Sequence, residues 1–355
     1  MLRKNSFLLL LTACACTNIF AQDSTAKESP LKISGSVDAY YRYNFDNTPN
    51  GGLGFNSLTS FTNSQNTFQL GMASLKATYS TEKAGVVADL GFGKRAEEFS
   101  YADEKSLQIV KQAYVYWKPS EKLTLSLGKW GTHIGYEVLD PQVNRNYSMS
   151  YMFSYGPFSH TGVKADLALN NGNGIMIGIA NPTDITSPNW ASTKVLNAQY
   201  SHVGDKFSIF ANYSGWFGAK SSPAAVSVNQ VGITASAKVS DKFGIGYDGT
   251  IQLLKNDVKD GTDKWWGSAL YFNYDPTAAL GLTLRTEYFA DEKDAVKIGA
   301  DIFQATLSAQ YKTGNFTLIP EFRLDNASQP VFSKNDGVTG KKSTATFLIA
   351  GMFSF

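Results

Sequence analysis

The last thirteen residues of the chain, 343–355, alternate between apolar and polar side chains and end on an aromatic residue. Successive side chains of an extended strand point to opposite faces. One face of this segment therefore collects Ala345, Phe347, Ile349, Gly351, Phe353 and Phe355, and the other collects Thr344, Thr346 and Ser354. A terminal strand with one face for lipid and one for water is typical of an outer-membrane β-barrel. We therefore predict a protein that spans the bilayer with strands.

The start of the chain has the pattern of a secretory signal. Arg3 and Lys4 precede a short apolar run at 7–11, and mostly small residues lead up to Ala21. The run is too short to span a bilayer. Cleavage after Ala21 is therefore expected, with a signal peptide at 1–21.

A second mode of processing also fits this region. The residues before Cys14 resemble a lipoprotein signal, in which Cys14 would carry the lipid. Cleavage after Ala21 would instead remove both cysteines of the chain, Cys14 and Cys16, and leave no thiol, disulfide or cysteine metal site. In that case 22–30 is a short periplasmic tether and 31–355 is the barrel.

The charge balance excludes several classes of partner. The chain has 32 Lys plus Arg and 30 Asp plus Glu, and two of the basic residues lie in the signal, so the mature chain has 30 of each sign. A neutral chain is not expected to bind nucleic acid or an anionic surface. After the signal there is also no run of eighteen apolar residues, which excludes helical membrane spans.

Alternation recurs along the chain, in segments such as 31–46, 122–130 and 242–254. It is clearest in 279–290, where Leu280, Leu282, Leu284 and Tyr288 oppose Thr283, Arg285 and Glu287. A strand of this kind has one polar face, which a dry core on both sides could not accommodate. The pattern predicts an all-β protein.

The connections between these segments alternate between tight and long. Turn-forming residues occur at 82–85, 119–122, 170–174, 204–206, 240–242, 275–279 and 313–315. Longer polar stretches occur at 47–65, 96–105, 131–158, 181–191, 218–224, 255–262, 291–299 and 326–342. These fifteen connections predict an antiparallel up-and-down barrel of sixteen strands with both termini in the periplasm, and loss of one hairpin would give fourteen.

The predicted strand count bears on what the barrel can contain. About eight strands are filled by their own side chains, whereas sixteen to eighteen leave an aqueous channel. A charged side chain that faces lipid at mid-depth costs up to ~2 to 4 kcal/mol. The charged residues of the strands are therefore expected to face the channel: Asp38, Arg42, Asp89, Lys164, Asp166, Asp248, Arg285, Glu287, Glu321 and Arg323.

Four segments carry a resemblance to a known family. They are GTHIGYEVLDP at 131–141, YSMSYMFSYGPFSHTGVKA at 147–165, ISGSVDAYYRYNFD at 33–46 and FQLGMASLKATYS at 68–80. These sequences resemble those of the OmpL-like outer-membrane β-barrel porins, which are frequent in Bacteroidota-type bacteria. The resemblance covers essentially the whole mature chain. It implies a porin that forms a water-filled channel for passive diffusion of small hydrophilic solutes. It transfers no set of functional residues.

The longest informative loop, 131–158, is the candidate for a constriction. It is aromatic and carries both charge signs, which suits a segment folded into the barrel to narrow it. Its Glu137, Asp140 and Arg145 would then set the local field, with the wall residues Arg285, Glu287, Glu321 and Arg323 opposite. The alternative is a cap on the outer rim, held by a cluster of Tyr147, Tyr151, Phe153 and Phe158. The sequence does not choose between these directions.

Catalysis is not expected. The chain has three histidines, His133, His160 and His202, and none has a metal-type partner or a recognisable nucleophile nearby in sequence. A triad of His133, Asp140 and Ser148 is conceivable but disfavoured, because a loop histidine is more often an ordinary polar residue. No cofactor and no metal are predicted.

Two other functional classes are alternatives to a porin. A gated active transporter would need a plug domain, and only 22–30 precedes the first strand. An adhesin or a structural barrel without an open channel remains the alternative. The expected partners are outer-membrane lipid, small solutes and the barrel-assembly machinery, which would recognise the strand that ends in Phe355. Solute selectivity and association into a homo-oligomer stay open.

Overall fold

A computed structural model describes residues 29–46, 53–188, 193–217, 226–256, 261–336 and 339–355. The signal peptide at 1–21 and most of the tether at 22–30 lie outside the described residues. Cleavage after Ala21 and lipidation of Cys14 therefore stay predictions.

Sixteen strands form one closed antiparallel barrel. They are β1 (Leu31–Asn44), β2 (Thr67–Ser80), β3 (Ala84–Phe92), β4 (Val110–Trp117), β5 (Leu123–Gly131), β6 (Ser159–Ala168), β7 (Asn173–Ala180), β8 (Lys194–Val203), β9 (Phe207–Phe217), β10 (Val226–Lys238), β11 (Phe243–Asn256), β12 (Thr262–Thr277), β13 (Leu280–Glu292), β14 (Ile302–Thr313), β15 (Phe316–Ala327) and β18 (Ser343–Ser354). Neighbours in the chain pair throughout, and β18 pairs with both β15 and β1. The predicted count of sixteen is confirmed, and the alternative of fourteen is wrong.

Closure between the first and last strands satisfies the backbone groups that an open edge would leave without partners. Asp38 lies opposite Met352 and Tyr40 opposite Ala350 in the β1–β18 register. At the end of this seam the backbones of Gly35 and Phe355 exchange hydrogen bonds of 3.0 and 2.9 Å. The aromatic residue at the C-terminus thus takes part in the closing pair.

The seven predicted turns join strands at one end of the barrel, here called the turn end, and the opposite ends of the strands form the loop end. Between β6 and β7, Asn171 and Gly172 both have positive φ, 58° and 74°. Asn-Gly is the preferred pair for such a two-residue hairpin, because its backbone twist matches that of the strands.

The loops contain short elements that the periodicity does not reveal. These are α1 (Leu53–Asn56), α2 (Lys94–Phe99), α3 (Tyr151–Tyr155) and a hairpin of β16 (Phe332–Ser333) and β17 (Thr339–Lys341). Helices of four to six residues are too short to display a 3.6-residue period. No helix in the described part of the chain has the length and hydropathy to cross a membrane.

The two faces of each strand agree with the alternation. On β18, Phe347 and Phe353 are exposed on the outer surface, while Thr344 and Thr346 are buried inside. On β13, Leu284 and Tyr288 are each 38% exposed, whereas Arg285 is 0% and Glu287 1% exposed. The outer surface is therefore apolar and the inner surface polar.

The interior at the loop end is filled by the chain's own loops. One apolar cluster joins residues of the loops to residues of β2, and it contains Phe61, Met72, Ala96, Phe99, Leu139, Met149, Phe153 and Phe158. A second packs α3 against β12, β13 and β14, through residues that include Tyr151, Met152, Trp265, Phe289 and Ile302. The width that sixteen strands provide is thus largely occupied at this end.

Candidate constriction inside the barrel

Residues 132–158, which join β5 to β6 and are here called the inner loop, lie within the barrel. The Tyr136 amide donates to Asp248 of β11 at 3.0 Å, and the Tyr147 hydroxyl donates to Asp38 of β1 at 2.5 Å. Because β11 and β1 are far apart around the barrel, a segment that contacts both crosses the interior. The inner loop therefore follows the inward alternative of the sequence analysis and does not cap the outer rim.

Two wall carboxylates hold the backbone of the inner loop. Glu321 accepts hydrogen bonds from the amides of Tyr147 and Ser148, at 2.8 and 3.2 Å. Glu287 accepts from the amides of Tyr151 and Met152, both at 2.8 Å. The second pair lies in the first turn of α3, where amides have no partner within the helix. Charge-assisted bonds of this kind are stronger than neutral ones, so they fix the loop firmly.

Two wall guanidinium groups bind the same stretch. Arg285 donates to a Glu137 carboxylate oxygen at 2.5 Å and to the Ser148 carbonyl at 2.7 Å. Arg323 donates to the Met149 carbonyl at 2.8 Å and pairs with Asp325. The Arg285–Glu137 pair is almost fully buried, with side-chain exposures of 0% and 4%. Such a pair is costly to break from one side, because a lone buried charge remains.

A third set of contacts comes from residues that the sequence analysis did not propose for the site. Arg95 of α2 donates to the carbonyls of Leu139 and Tyr147, both at 3.2 Å, and its guanidinium lies over the Tyr147 ring. Lys111 of β4 pairs with Asp140 at 2.5 Å and with Asp89 at 2.9 Å. Arg95 follows β3 in a loop without periodicity, so no local pattern indicates that it points inward.

The structure separates the seven proposed constriction residues into two groups. Five are buried together where the inner loop meets the wall: Glu137, Arg285, Glu287, Glu321 and Arg323. Asp140 and Arg145 keep partial exposure, and Arg145 pairs with Asp275 at 2.5 Å. The four wall residues lie opposite the loop and contact it directly, because buried charges need partners and the loop backbone supplies them.

Arg145 lies beside a cavity of about 370 Å³ at the turn end, here called the vestibule. Its lining mixes basic and acidic side chains with Tyr136 and Asn273, and the charged ones are Arg145, Lys206, Lys238, Lys242, Asp205, Asp241 and Asp275. The vestibule reaches from the turns of β8–β13 inward to the inner loop. It provides an aqueous approach to the interior.

The disfavoured catalytic triad has no geometric support. His133 contacts the Tyr213 carbonyl at 3.0 Å and its ring lies 5.4 Å from that of His160. Asp140 pairs with Lys111, and the Ser148 amide is bound by Glu321. Within the described residues, no group of three His, Cys, Asp or Glu side chains is arranged to hold a metal ion.

A known protein family matches nearly the full length of the chain. The family described as "Putative beta-barrel porin-2, OmpL-like" matches residues 30–355. No curated protein matches the chain.

Several solved structures share the fold. An anion-selective porin from Comamonas acidovorans has a TM-score of 0.62 at 11% identity, over 92% of this chain and 99% of that one. The outer membrane channel DcaP of Acinetobacter baumannii has a TM-score of 0.60 at 11% identity, over 92% and 97%. OmpT, an outer-membrane protein of Vibrio cholerae, has a TM-score of 0.58 at 12% identity, over 92% and 97%. At such identities the likeness concerns the fold.

Proposed function

Because this chain belongs to the OmpL-like family of β-barrel porins, we propose that it lets small hydrophilic solutes diffuse passively across the outer membrane. The observation that supports this most is the polar inner face of a closed sixteen-strand barrel. Charges such as Asp248 and Arg285 would each cost up to ~2 to 4 kcal/mol on the lipid side. Their inward placement suits a barrel that surrounds an aqueous route.

In this proposal the inner loop is the constriction. Glu137, Arg285, Glu287, Glu321 and Arg323 hold it in place, since each is buried and bonded across the contact. Asp140 and Arg145 act on the solute, because they keep partial exposure. A segment that crosses the barrel limits passage to small solutes.

The proposal also includes an orientation, which the positions of the first and last strands support. Leu31 and Ser354 both lie at the turn end. We place the turn end in the periplasm, which keeps the tether at 22–30 on the side from which the barrel inserts. The strand that ends in Phe355 would then be the one offered to the assembly machinery. Association into a homo-oligomer belongs to the same proposal.

The proposed role involves no chemical step. The charged groups inside the barrel are engaged by one another and by the inner-loop backbone, as Glu287 and Glu321 illustrate. His133 faces a carbonyl and a second histidine ring. The family to which the chain belongs supports a channel without enzymatic activity.

A sealed barrel with an adhesive or structural role is the second candidate. One observation favours it: apolar side chains such as Phe61, Phe153 and Phe158 pack together across the loop end. In this alternative the inner loop is a permanent support for the loops above it.

Electrical recording separates the two candidates. The purified mature protein, refolded and inserted into planar bilayers, is expected to give stepwise conductance, and liposomes that contain it should swell in small sugars. Folding is checked by a heat-dependent shift on a denaturing gel. A correctly folded protein that never conducts, and liposomes that do not swell, would favour the sealed barrel.

A further inference from the structure

The inner wall of the barrel is asymmetric around the inner loop. On β13 and β15 the inward positions carry long charged side chains, such as Arg285 and Arg323, which bind the loop. On β10, β11 and β12 several inward positions are small: Gly232, Thr234, Ser236, Gly244, Gly246, Gly267 and Ala269. The two walls therefore differ in the room that they leave beside the loop.

Successive inward positions of β11 mark levels along the barrel, about 7 Å apart for every two residues. Gly244 lines the vestibule. Gly246 is covered by the Tyr136 ring, since a Cβ placed there would lie 2.5 Å from ring atoms. Asp248 and Thr250 line a second, smaller cavity of about 10 Å³ on the far side of that ring. Tyr136 thus separates the vestibule from the second cavity.

The Tyr136 ring is held in this position by a neighbouring aromatic side chain. It stacks on Tyr271 of β12, with ring centroids 4.2 Å apart and planes inclined by 24°. Gly246 and Tyr271 are paired directly across β11 and β12. The Tyr136 ring therefore lies over Gly246, which has no side chain, and packs against the Tyr271 ring beside it.

Buried polar atoms without hydrogen-bond partners occur on several sides of the barrel, and some of them lie along this wall. Asp248 Oδ1, Gln230 Nε2, Asn212 Nδ2 and both amide atoms of Asn197 have no hydrogen-bond partner among the described residues. These side chains lie on β8, β9, β10 and β11, and none is more than 3% exposed. An unsatisfied buried polar group costs about 1 to 3 kcal/mol. A cluster of them on adjacent strands indicates a seam that water or a solute occupies.

The part of the inner loop that covers this seam contacts the wall without an ion pair. It is the segment 132–136, here called the entry segment. Its hydrogen bonds to the wall include those from Gln199 to the His133 carbonyl at 3.1 Å, between His133 and the Tyr213 carbonyl, between Thr132 and His160 of β6, and from the Tyr136 amide to Asp248. No ion pair joins it to the wall within the described residues, in contrast to the Glu137–Arg285 pair that follows.

Asp248 has no basic side chain in contact within the described part of the barrel. One carboxylate oxygen accepts from the Tyr136 amide, and the other has no partner. Acidic residues at a narrow point select cations in channels. The vestibule mixes both charge signs, so it contributes little net preference of its own.

We propose that solutes pass between the entry segment and the wall of β8–β11, that Tyr136 gates this route, and that Asp248 makes it prefer small cations over anions. The inference rests on the proposed function. The entry segment swings aside while the rest of the inner loop stays anchored.

Reversal potentials test the role of Asp248. The mature protein is recorded in planar bilayers across a gradient of KCl, and the wild type is expected to prefer potassium. Asp248→Asn keeps an oxygen for the Tyr136 amide but removes the charge. The reversal potential of this variant should therefore move toward the equilibrium potential of chloride. The matched control is Asp38→Asn, a buried carboxylate of β1 that accepts from the Tyr147 hydroxyl on another side of the inner loop. A shift of equal size in both variants, or no shift in Asp248→Asn, would overturn the assignment.

Conductance tests the gate. Tyr136→Ala should raise single-channel conductance, whereas Tyr136→Phe keeps the ring over Gly246 and should match the wild type. Unchanged conductance in Tyr136→Ala, with the wild type conducting, would overturn the route but leave the proposed function intact. If the wild type and Tyr136→Ala, both folded, are silent, the proposed function itself fails.

Cysteine modification locates the route independently, because the sequence after Cys16 contains no cysteine. In Asp248→Cys, a cationic methanethiosulfonate reagent should react and block current. Thr306→Cys is the control, since Thr306 of β14 is fully buried beside Arg285. Rapid block of the control and none at position 248 would place the route on the opposite wall.

Discussion

Single residues determine how the inner loop is held, and the strongest contacts join a buried charge to loop backbone. Glu287 and Glu321 bind two amides each, and Arg285 binds a carbonyl and a carboxylate. A carboxylate can accept several such bonds, and a guanidinium can donate several. Few side chains therefore suffice to fix a long segment that contains little regular structure.

The Glu137–Arg285 pair gives a prediction at this scale. Glu137→Gln leaves the Arg285 charge without its closest carboxylate, and loss of one partner of a buried pair costs about 3 to 5 kcal/mol. We expect a decrease of this order in the free energy of unfolding, measured with urea in lipid vesicles. Asp241→Asn removes the carboxylate of an exposed pair with Lys238 and should leave stability unchanged. Equal effects of the two changes would contradict the anchoring role of Glu137.

Strands and loops interact through a few irregular positions, and one lies in β5. Gly128 has a φ of 137°, and a Cβ there would lie 2.2 Å from the Ala113 carbonyl oxygen on β4. The next residue, Lys129, is buried and pairs with Asp103 at 2.8 Å. Gly128 thus lies directly before Lys129, through which the end of β5 is bonded to the β3–β4 loop.

We expect Gly128→Ala to destabilise the barrel, because alanine is strained at this φ and its Cβ would push β4 away. Backbone strain of this kind costs of order 1 to 3 kcal/mol. Gly131→Ala in the same strand is the control, since its nearest neighbour is 4.0 Å from the new Cβ. Thermal unfolding in detergent, followed by circular dichroism, should show a lower midpoint for the first variant only.

Asp184, in the loop between β7 and β8, gives a prediction of pH dependence. It accepts from the amides of Phe158 and Ser159 and from the Tyr101 hydroxyl, and burial raises its pKa from 3.8 to about 7. Between these values the folded state binds more protons than the unfolded state. The contribution of Asp184 to stability therefore decreases as the pH rises from about 4 to about 7.

Asp184→Asn should abolish this dependence, because the amide oxygen can still accept from the same backbone amides. We expect the stability of the wild type relative to the variant to fall by at most about 1.4 kcal/mol per pH unit in this interval. Urea unfolding at several pH values measures it. Parallel profiles for the two proteins would show that Asp184 does not titrate there.

For the whole molecule, assembly depends on the last strand. The Phe355 backbone closes β18 onto Gly35, while its side chain is 63% exposed on the lipid-facing side. Phe355→Ala keeps the backbone bonds but removes the aromatic ring. We expect a stable barrel once folded, but a lower yield in the outer membrane.

The measurement compares the amount of folded protein in outer-membrane fractions with the yield of refolding in pure lipid vesicles. If the assembly machinery recognises the ring, the amount in outer-membrane fractions should fall while the refolding yield stays the same. Phe353→Leu, on the same outer face of β18, is the control. Loss of yield in both settings would assign Phe355 to barrel stability.

The sequence by itself determined the strand faces, the sixteen strands and the side of each connection. These properties come from local regularities: a two-residue period assigns each side chain to a face, and residues such as Asn171 and Gly172 mark turns within a few positions. The inward direction of Asp248 and Arg285 follows from the same period.

Only the tertiary structure decided that the inner loop crosses the barrel and that it contacts the charged wall directly. The Tyr147 amide binds Glu321 across 174 positions of sequence, and Arg285 binds Glu137 across 148. No local pattern encodes such pairs, because each partner is chosen by proximity after the barrel has closed and by the need of a buried charge for an opposite charge or a hydrogen bond.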